Sequence, residues 1–305
     1  MQPVPVSDHC EVPARIVWLE DRPLVEMRRI RVSALNVAFW DDLCASAPIT
    51  AVRPLDDQPL PPGAGPLCGA IFHTYRCGST LLCRQLSALP SAYAIAEPSF
   101  LSQLVLGHRQ KPSVLRDRIL KALALLSRGL GAQGQRIIVK WPGMLADHAA
   151  CLVEALPEVP MMFLHRDPVE VLASIEQRPL GNAEGAPAAL GLAIPSEETT
   201  ATTLAALVIA HLCRKVAQVP SIRHCDYKRL DPVRVARHFG LDTGEAEQAA
   251  MALAGIWYSK APPGSARFVD DSVAKRASAS AGVRQTAERI LAPALAATVA
   301  ALPEL

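Results

Sequence analysis

From residue 67 to residue 226 short apolar runs alternate with longer stretches whose apolar residues recur at helical spacing. The runs at 67–73, 92–96, 136–140, 159–165 and 221–226 have strand length and are apolar on both faces. Helical spacing covers 79–89, 100–108, 113–130, 145–156, 168–177, 197–219, 232–239, 245–258 and 284–301. Strands that alternate with helices must cross over to pair. The chain therefore predicts an α/β fold: a mostly parallel sheet with helices on both faces. Ahead of it, strand-like residues 14–19 and 24–32 flank the turn Glu20-Asp21-Arg22-Pro23 and predict a hairpin. Residues 54–66 have the proline and glycine density of a linker. The division expected is an accessory segment with its linker over 1–66 and an α/β domain over 67–305. Residues 179–196, rich in Gly, Ala and Pro, predict a mobile loop able to close over a substrate.

Half of the 305 residues are hydrophobic and 20% are charged, enough for a substantial core. A net charge of +2 argues against a protein built to coat nucleic acid, so no nucleic-acid partner is expected. Residues 1–13 carry no signal-peptide core, and the apolar stretch 201–213 is too short to span a membrane. The eight cysteines are scattered without zinc-site spacing, which predicts reduced thiols, no metal site and a cytoplasmic location.

The chemistry concentrates at the strand ends, where open α/β sheets bind ligands. After the first strand of the alternating region, His73-Thr74-Tyr75-Arg76-Cys77-Gly78-Ser79-Thr80 forms a tight polar turn leading into a helix. Backbone N–H groups at such a helix start have no helical partner, and the helix dipole favours an anion there. The nucleotide-triphosphatase loop would need a Lys just before the hydroxyls and a leading Gly. Here the cation is Arg76, two residues before Gly78. The second strand delivers Glu97, the third Lys140, the fourth His165 and Arg166, and the fifth Asp226 and Tyr227. This excess of cations on one rim suits a bisphosphorylated nucleotide.

The order basic residue, small residue, Gly, two hydroxyls resembles the 5′-phosphate loop of sulfotransferases that use 3′-phosphoadenosine 5′-phosphosulfate. Arg166-Asp167-Pro168, with Ser174 eight residues after the Arg, resembles the 3′-phosphate site of the same superfamily. Asp226-Tyr227-Lys228-Arg229-Leu230 resembles its Y-E-D-L segment. The resemblance spans residues 67–241 and implies a P-loop-like fold, this nucleotide as co-substrate, and sulfuryl transfer to a hydroxyl or amine. It implies nucleotide contacts from Arg76, Cys77, Gly78, Ser79, Thr80, Arg166, Ser174 and Tyr227. It further implies catalytic roles for Arg76 and Lys140 on the moving group and for Glu97 as base. Cys77 fills the small-residue position.

This chain departs from the cytosolic small-molecule members at three places. Leu81 stands where they carry Trp, Pro142 where they carry a His base, and their Gly-rich basic C-terminal motif has only Lys275, Arg276 and Arg284 as loose substitutes. Glu97-Pro98 instead resembles the bacterial and carbohydrate-type members, whose base is a Glu after the second strand. The acceptor implied is a small molecule, a carbohydrate or a natural product. His73 and His165, at strand ends, are the substitutes should Glu97 not be the base. Two other readings remain open: a catalytically silent nucleotide-binding or scaffold protein, and a P-loop phosphotransferase. The latter would need an Asp for Mg²⁺ where strands three and four end in Lys and His-Arg.

Overall fold

A computed structural model describes residues 8–31, 38–62, 65–108, 111–131, 135–181, 185–194, 199–257 and 266–305. Strands β4 (Leu67–His73), β5 (Ala92–Ala96), β6 (Arg136–Lys140), β7 (Met161–His165) and β8 (Arg223–Asp226) form one sheet in the order β5-β6-β4-β7-β8. Every neighbouring pair is parallel. β4 lies at the centre and is buried along its whole length.

Alternation along these strands sorts their side chains into two cores, because successive residues point to opposite faces. Ile71, Ala94, Ile138, Met162 and Leu164 meet Leu82, Leu86, Val235 and Met251 on one side. Those partners come from α2 (Ser79–Leu86), α9 (Pro232–His238) and α10 (Glu245–Gly255). Ala70, Phe72, Ile95, Val139 and Phe163 enter the larger core on the other side. That side is covered by α3 (Ser99–Gly107), α4 (Pro112–Gly129), α5 (Ala149–Ala155), α6 (Pro168–Gln177), α8 (Ala201–Ala217) and α13 (Ala292–Ala301). Gly69 is needed for close packing in β4, since a Cβ there would stand 2.4 Å from the Phe239 ring. The fold is thus α/β, with a five-stranded parallel sheet between helices.

The amino-terminal segment is a three-stranded antiparallel sheet of β1 (His9–Leu19), β2 (Arg22–Arg31) and β3 (Ile49–Pro54), with α1 (Trp40–Cys44) between the last two. The hairpin forms at the expected turn; Val32, in its expected second strand, lies outside the described residues. β3 was not expected, because its short β-branched run is bracketed by Pro48 and Pro54. Val12, Ala14, Ile16, Val25 and Met27 share one core with the parallel sheet's helices. Ile16 N–H donates to Gln103 Oε1 at 2.7 Å, and the Trp18 indole N–H to Gln103 O at 3.2 Å. Buried Arg118 holds both Asp56 oxygens at 2.9 and 2.8 Å and lies 5.4 Å over the Trp18 ring. Leu55, in the proline-rich stretch, is fully buried.

Other elements differ from the periodicity in detail. The helix expected over 145–156 is a 3₁₀ turn, Gly143–His148, followed by α5. The one expected over 284–301 is α12 (Ala281–Thr286), a π turn at Ala287–Leu291, and α13 with Pro293 in its first turn. Pro293 has no N–H to give an α-helical ladder, and the π turn absorbs the break. Within the expected loop 179–196, α7 (Ala186–Ala189) is present, with Ala186 and Pro187 buried; residues 182–184 and 195–198 lie outside the described set. α11 (Ser272–Ser278) had no sequence signal. All eight cysteines are free, and no helix among the described residues is long and apolar enough to cross a membrane.

Candidate functional site

The turn after β4 is held by backbone geometry unusual for its residues. Tyr75 and Arg76 adopt left-handed φ of 58° and 46°, and Gly78 follows at 85°. Positive φ is costly for residues with a Cβ and is typical of sites where the chain must aim its groups. Gly78 is the N-cap of α2 and offers no side chain, so no side-chain cap covers the first turn of the helix, where Ser79 and Thr80 are buried. A first turn left open in this way has N–H groups available to an anion. Gly78 has a second constraint: a Cβ there would stand 2.5 Å from the Tyr227 ring.

Lys140, at the end of β6, is 1% exposed. Its Nζ lies 2.5 Å from Glu97 Oε1, 3.4 Å from Thr80 Oγ1 and 5.1 Å over the Phe39 ring. Glu97 also has a left-handed φ, 54°, and its N–H donates to Lys140 O at 2.8 Å, so backbone and side chain are fixed together. Burial pushes the Glu97 carboxyl up, but Lys140 and then His73 outweigh it and hold the group down at about 2. His73 Nδ1 accepts the Tyr75 N–H at 3.1 Å, which assigns the ring proton to Nε2, 3.6 Å from Glu97 Oε1. Cys77 is wholly buried. Burial raises its thiol, and a hydrogen bond with His73 brings it below the usual thiol range.

On the other flank Arg166 is 4% exposed and heavily partnered. Its Nε meets Glu170 Oε2 at 2.6 Å, and its Nη2 meets Ser272 Oγ at 2.8 Å and Asp271 Oδ1 at 3.1 Å. The guanidinium lies 4.5 Å over the Tyr227 ring. Asp167 caps α6 through the N–H groups of Val169 and Glu170, with Pro168 in the first turn as expected. Of the loose basic substitutes, Lys275 faces the cleft while Arg276 braces Glu170 and Asp167, each at 2.7 Å. Arg284 bonds the Arg276 carbonyl.

These groups share one cleft of about 590 Å³. Arg76, Cys77, Gly78, Ser79, Thr80, Glu97, Lys140, Arg166, Ser174 and Tyr227 all line it. So does His73, whereas His165 is not among the lining residues and pairs with His224 at 3.2 Å. Phe39, Met144, Asp271 and Phe268 also line it and had not been singled out. Phe39, Asp271 and Phe268 reach the cleft from elements outside the strand–turn–helix pattern and carry no signal in the sequence, whereas Met144 lies in the turn that follows β6, four residues after Lys140.

No known family profile matches the chain, and no curated protein does. Among solved structures, the fold is similar to the sulfotransferase domain of a Synechococcus olefin synthase: 16% identity, TM-score 0.44, covering 76% of this chain and 97% of that one. It is also similar to a Mycobacterium tuberculosis sulfotransferase, at 15% identity and TM-score 0.43, covering 77% and 78%. A sulfotransferase from Alicyclobacillus acidocaldarius matches at 16% identity and TM-score 0.41, covering 76% and 94%.

Proposed function

We propose that this protein is a sulfotransferase that moves a sulfuryl group from 3′-phosphoadenosine 5′-phosphosulfate to a hydroxyl or amine of an acceptor. The observation that carries the reading is the meeting, in one cleft, of an uncapped helix start, two strand-end cations and a carboxylate poised on one of them. Sequence order supports it as well, since Arg76-Cys77-Gly78-Ser79-Thr80 precedes the Arg166-to-Ser174 pattern as in the family it resembles.

The residues fit a nucleotide with two separated phosphates. The bare first turn of α2 suits a 5′-phosphate, and Arg166 with Ser174 on α6 suits a 3′-phosphate. When bound, the nucleotide supplies the sulfuryl group and the leaving phosphate. Arg76 and Lys140 would hold the oxygens on which negative charge gathers. Glu97 takes the acceptor's proton. A carboxylate held at about 2 is a weak base. Lys140 therefore has two tasks. While it pairs with Glu97 the base is quiet; once its ammonium turns to sulfuryl oxygens, Glu97 regains proton affinity. In this way base strength is linked to occupancy of the donor site.

The test is thermal shift with 3′-phosphoadenosine 5′-phosphate against 5′-AMP, because binding to the folded state raises the melting temperature. The 3′-phosphorylated nucleotide should bind more tightly, and Arg166→Ala should remove about tenfold or more of that preference, as expected for a charge-assisted contact. Equal weakening of both nucleotides would take the 3′-phosphate away from Arg166, and indifference to either would end the reading.

A further inference from the structure

We infer that the amino-terminal sheet is an acceptor-recognition module, that Phe39 is its specificity-determining residue, and that the acceptor is an alcohol or phenol with an apolar flank. The inference rests on the sulfuryl-transfer reading and adds the acceptor class to it. Phe39 stands beside the Lys140 ammonium, with the ring centroid 5.1 Å away, yet it comes from the segment that precedes the whole parallel sheet. Its position is built. The next residue, Trp40, is 2% exposed, donates its indole N–H to Pro13 O at 3.0 Å and meets the Phe100 ring edge-on at 6.3 Å. One residue further, Asp41 Oδ1 accepts the Ser99 N–H at 3.1 Å at the start of α3, two residues after Glu97. The segment that presents Phe39 is therefore tied to the turn that presents the proposed base.

The cleft is lined by both charged and apolar side chains. Toward β7 and β8 its wall carries Arg166, Asp271 and Lys275, which suit a nucleotide. Phe39 lines it beside Lys140, and Tyr75, Met144, Ala205 and Val208 add apolar surface, with Gln177 and Arg178 as further polar lining. Ala205 and Val208 belong to α8, which packs on the Gly143–His148 turn that carries Met144. Tyr75 lies so close to that turn that a Cβ at Gly143 would stand 2.4 Å from its ring. A sugar or polyol would set hydroxyls against Phe39, Met144, Ala205 and Val208, whose side chains offer them no partner, and an unpaired hydroxyl in an apolar pocket is costly. An aromatic or aliphatic flank loses nothing there, and it leaves one hydroxyl near Glu97.

The experiment uses the full chain with 2-naphthol and N-acetylglucosamine as probes, measured by thermal shift with and without 3′-phosphoadenosine 5′-phosphate. 2-Naphthol should bind and the sugar should not. Phe39→Ala should weaken 2-naphthol by about tenfold or more, as removal of a buried aromatic anchor does, while the nucleotide's own shift stays as in the wild type. Phe39→Leu keeps an apolar wall and should recover part of the affinity, which separates a lost contact from a poorly folded variant. Binding of the sugar in preference to 2-naphthol, absence of 2-naphthol binding, or unchanged 2-naphthol affinity in Phe39→Ala would each overturn the inference. A variant that lowers turnover of 2-naphthol with unchanged affinity would make Phe39 a support for Lys140 and overturn it too. Loss of nucleotide binding in the wild type would instead end the sulfuryl-transfer reading, and the 2-naphthol arm without nucleotide would still decide whether Phe39 is an acceptor wall.

Discussion

Glu97 carries the sharpest conflict among the residues of the site. A general base works best with a pKa near the operating pH, whereas the carboxyl proposed for that role is held at about 2 by Lys140 and His73 against burial. The 2.5 Å contact with Lys140 explains the depression, and Nζ also lies 3.4 Å from Thr80 Oγ1, beside the helix start where an anion would compete for it. Glu97→Gln keeps the shape and removes the proton acceptor. Steady-state rates with a working acceptor should fall by about 10²–10⁴, while nucleotide affinity stays the same or rises as Lys140 loses its carboxylate. Near-normal turnover would remove Glu97 as the base and leave His73 as the next candidate, which would act only from the tautomer that frees Nε2, 3.6 Å from the same oxygen, of its proton. That Glu97 and Lys140 follow successive strands of the chain could be read from the sequence. Their contact could not, because it depends on β5 pairing with β6 in the register Ala96 to Lys140.

Among the elements, α11 matters most to the Arg166 side of the cleft. It follows Asp270 and Asp271, and Asp271 and Ser272 both sit on Arg166 Nη2. Lys275, one turn on, holds the other Asp271 oxygen at 2.9 Å and faces the cleft. A phosphate arriving at Arg166 must displace a carboxylate already there. Asp271 is half exposed, so its hold on Arg166 is weak, and exposed pairs are worth about 0.2–1 kcal/mol. Asp271→Asn should therefore tighten 3′-phosphoadenosine 5′-phosphate by up to about fivefold in titration calorimetry and leave 5′-AMP unaffected. Weaker binding in the variant would show that Asp271 supports the site. Nothing in residues 272–278 marked this helix, since a segment of about two turns is too short to show a period. By contrast α2, α6 and the five parallel strands were legible, as their apolar spacing, the glycine at 78 and the Asp-Pro start at 167–168 are local signals.

For the molecule as a whole, acid should be more damaging than the modest net charge suggests. The Glu97 carboxyl is depressed on folding, so its contribution is present above the ordinary carboxylate range and is lost as pH falls from about 4.5 toward 2. His165 is depressed as well, to about 4, first by burial and then by His224. Its contribution is complete above its unfolded value of 6.5 and is lost as pH falls from there toward 4, because the unfolded chain takes the proton first. Each tenfold change in proton affinity is worth about 1.4 kcal/mol. Melting temperature should fall between pH 6.5 and 4, and His165→Gln should flatten that fall; a profile unchanged by the substitution would remove His165 as its cause. What the chain determined alone was everything set by neighbours in sequence: the alternation that makes a parallel sheet, the bare helix start at Gly78, and the order of charged strand ends. Tertiary structure decided what those ends meet. The order β5-β6-β4-β7-β8 places Glu97 and Lys140 on one side of the loop and Arg166 and Tyr227 on the other. Docking of the amino-terminal sheet on α3 brings Phe39 to Lys140 from a hundred residues away. No local pattern encodes such a contact, because it is fixed by the apolar faces that two distant segments must bury together.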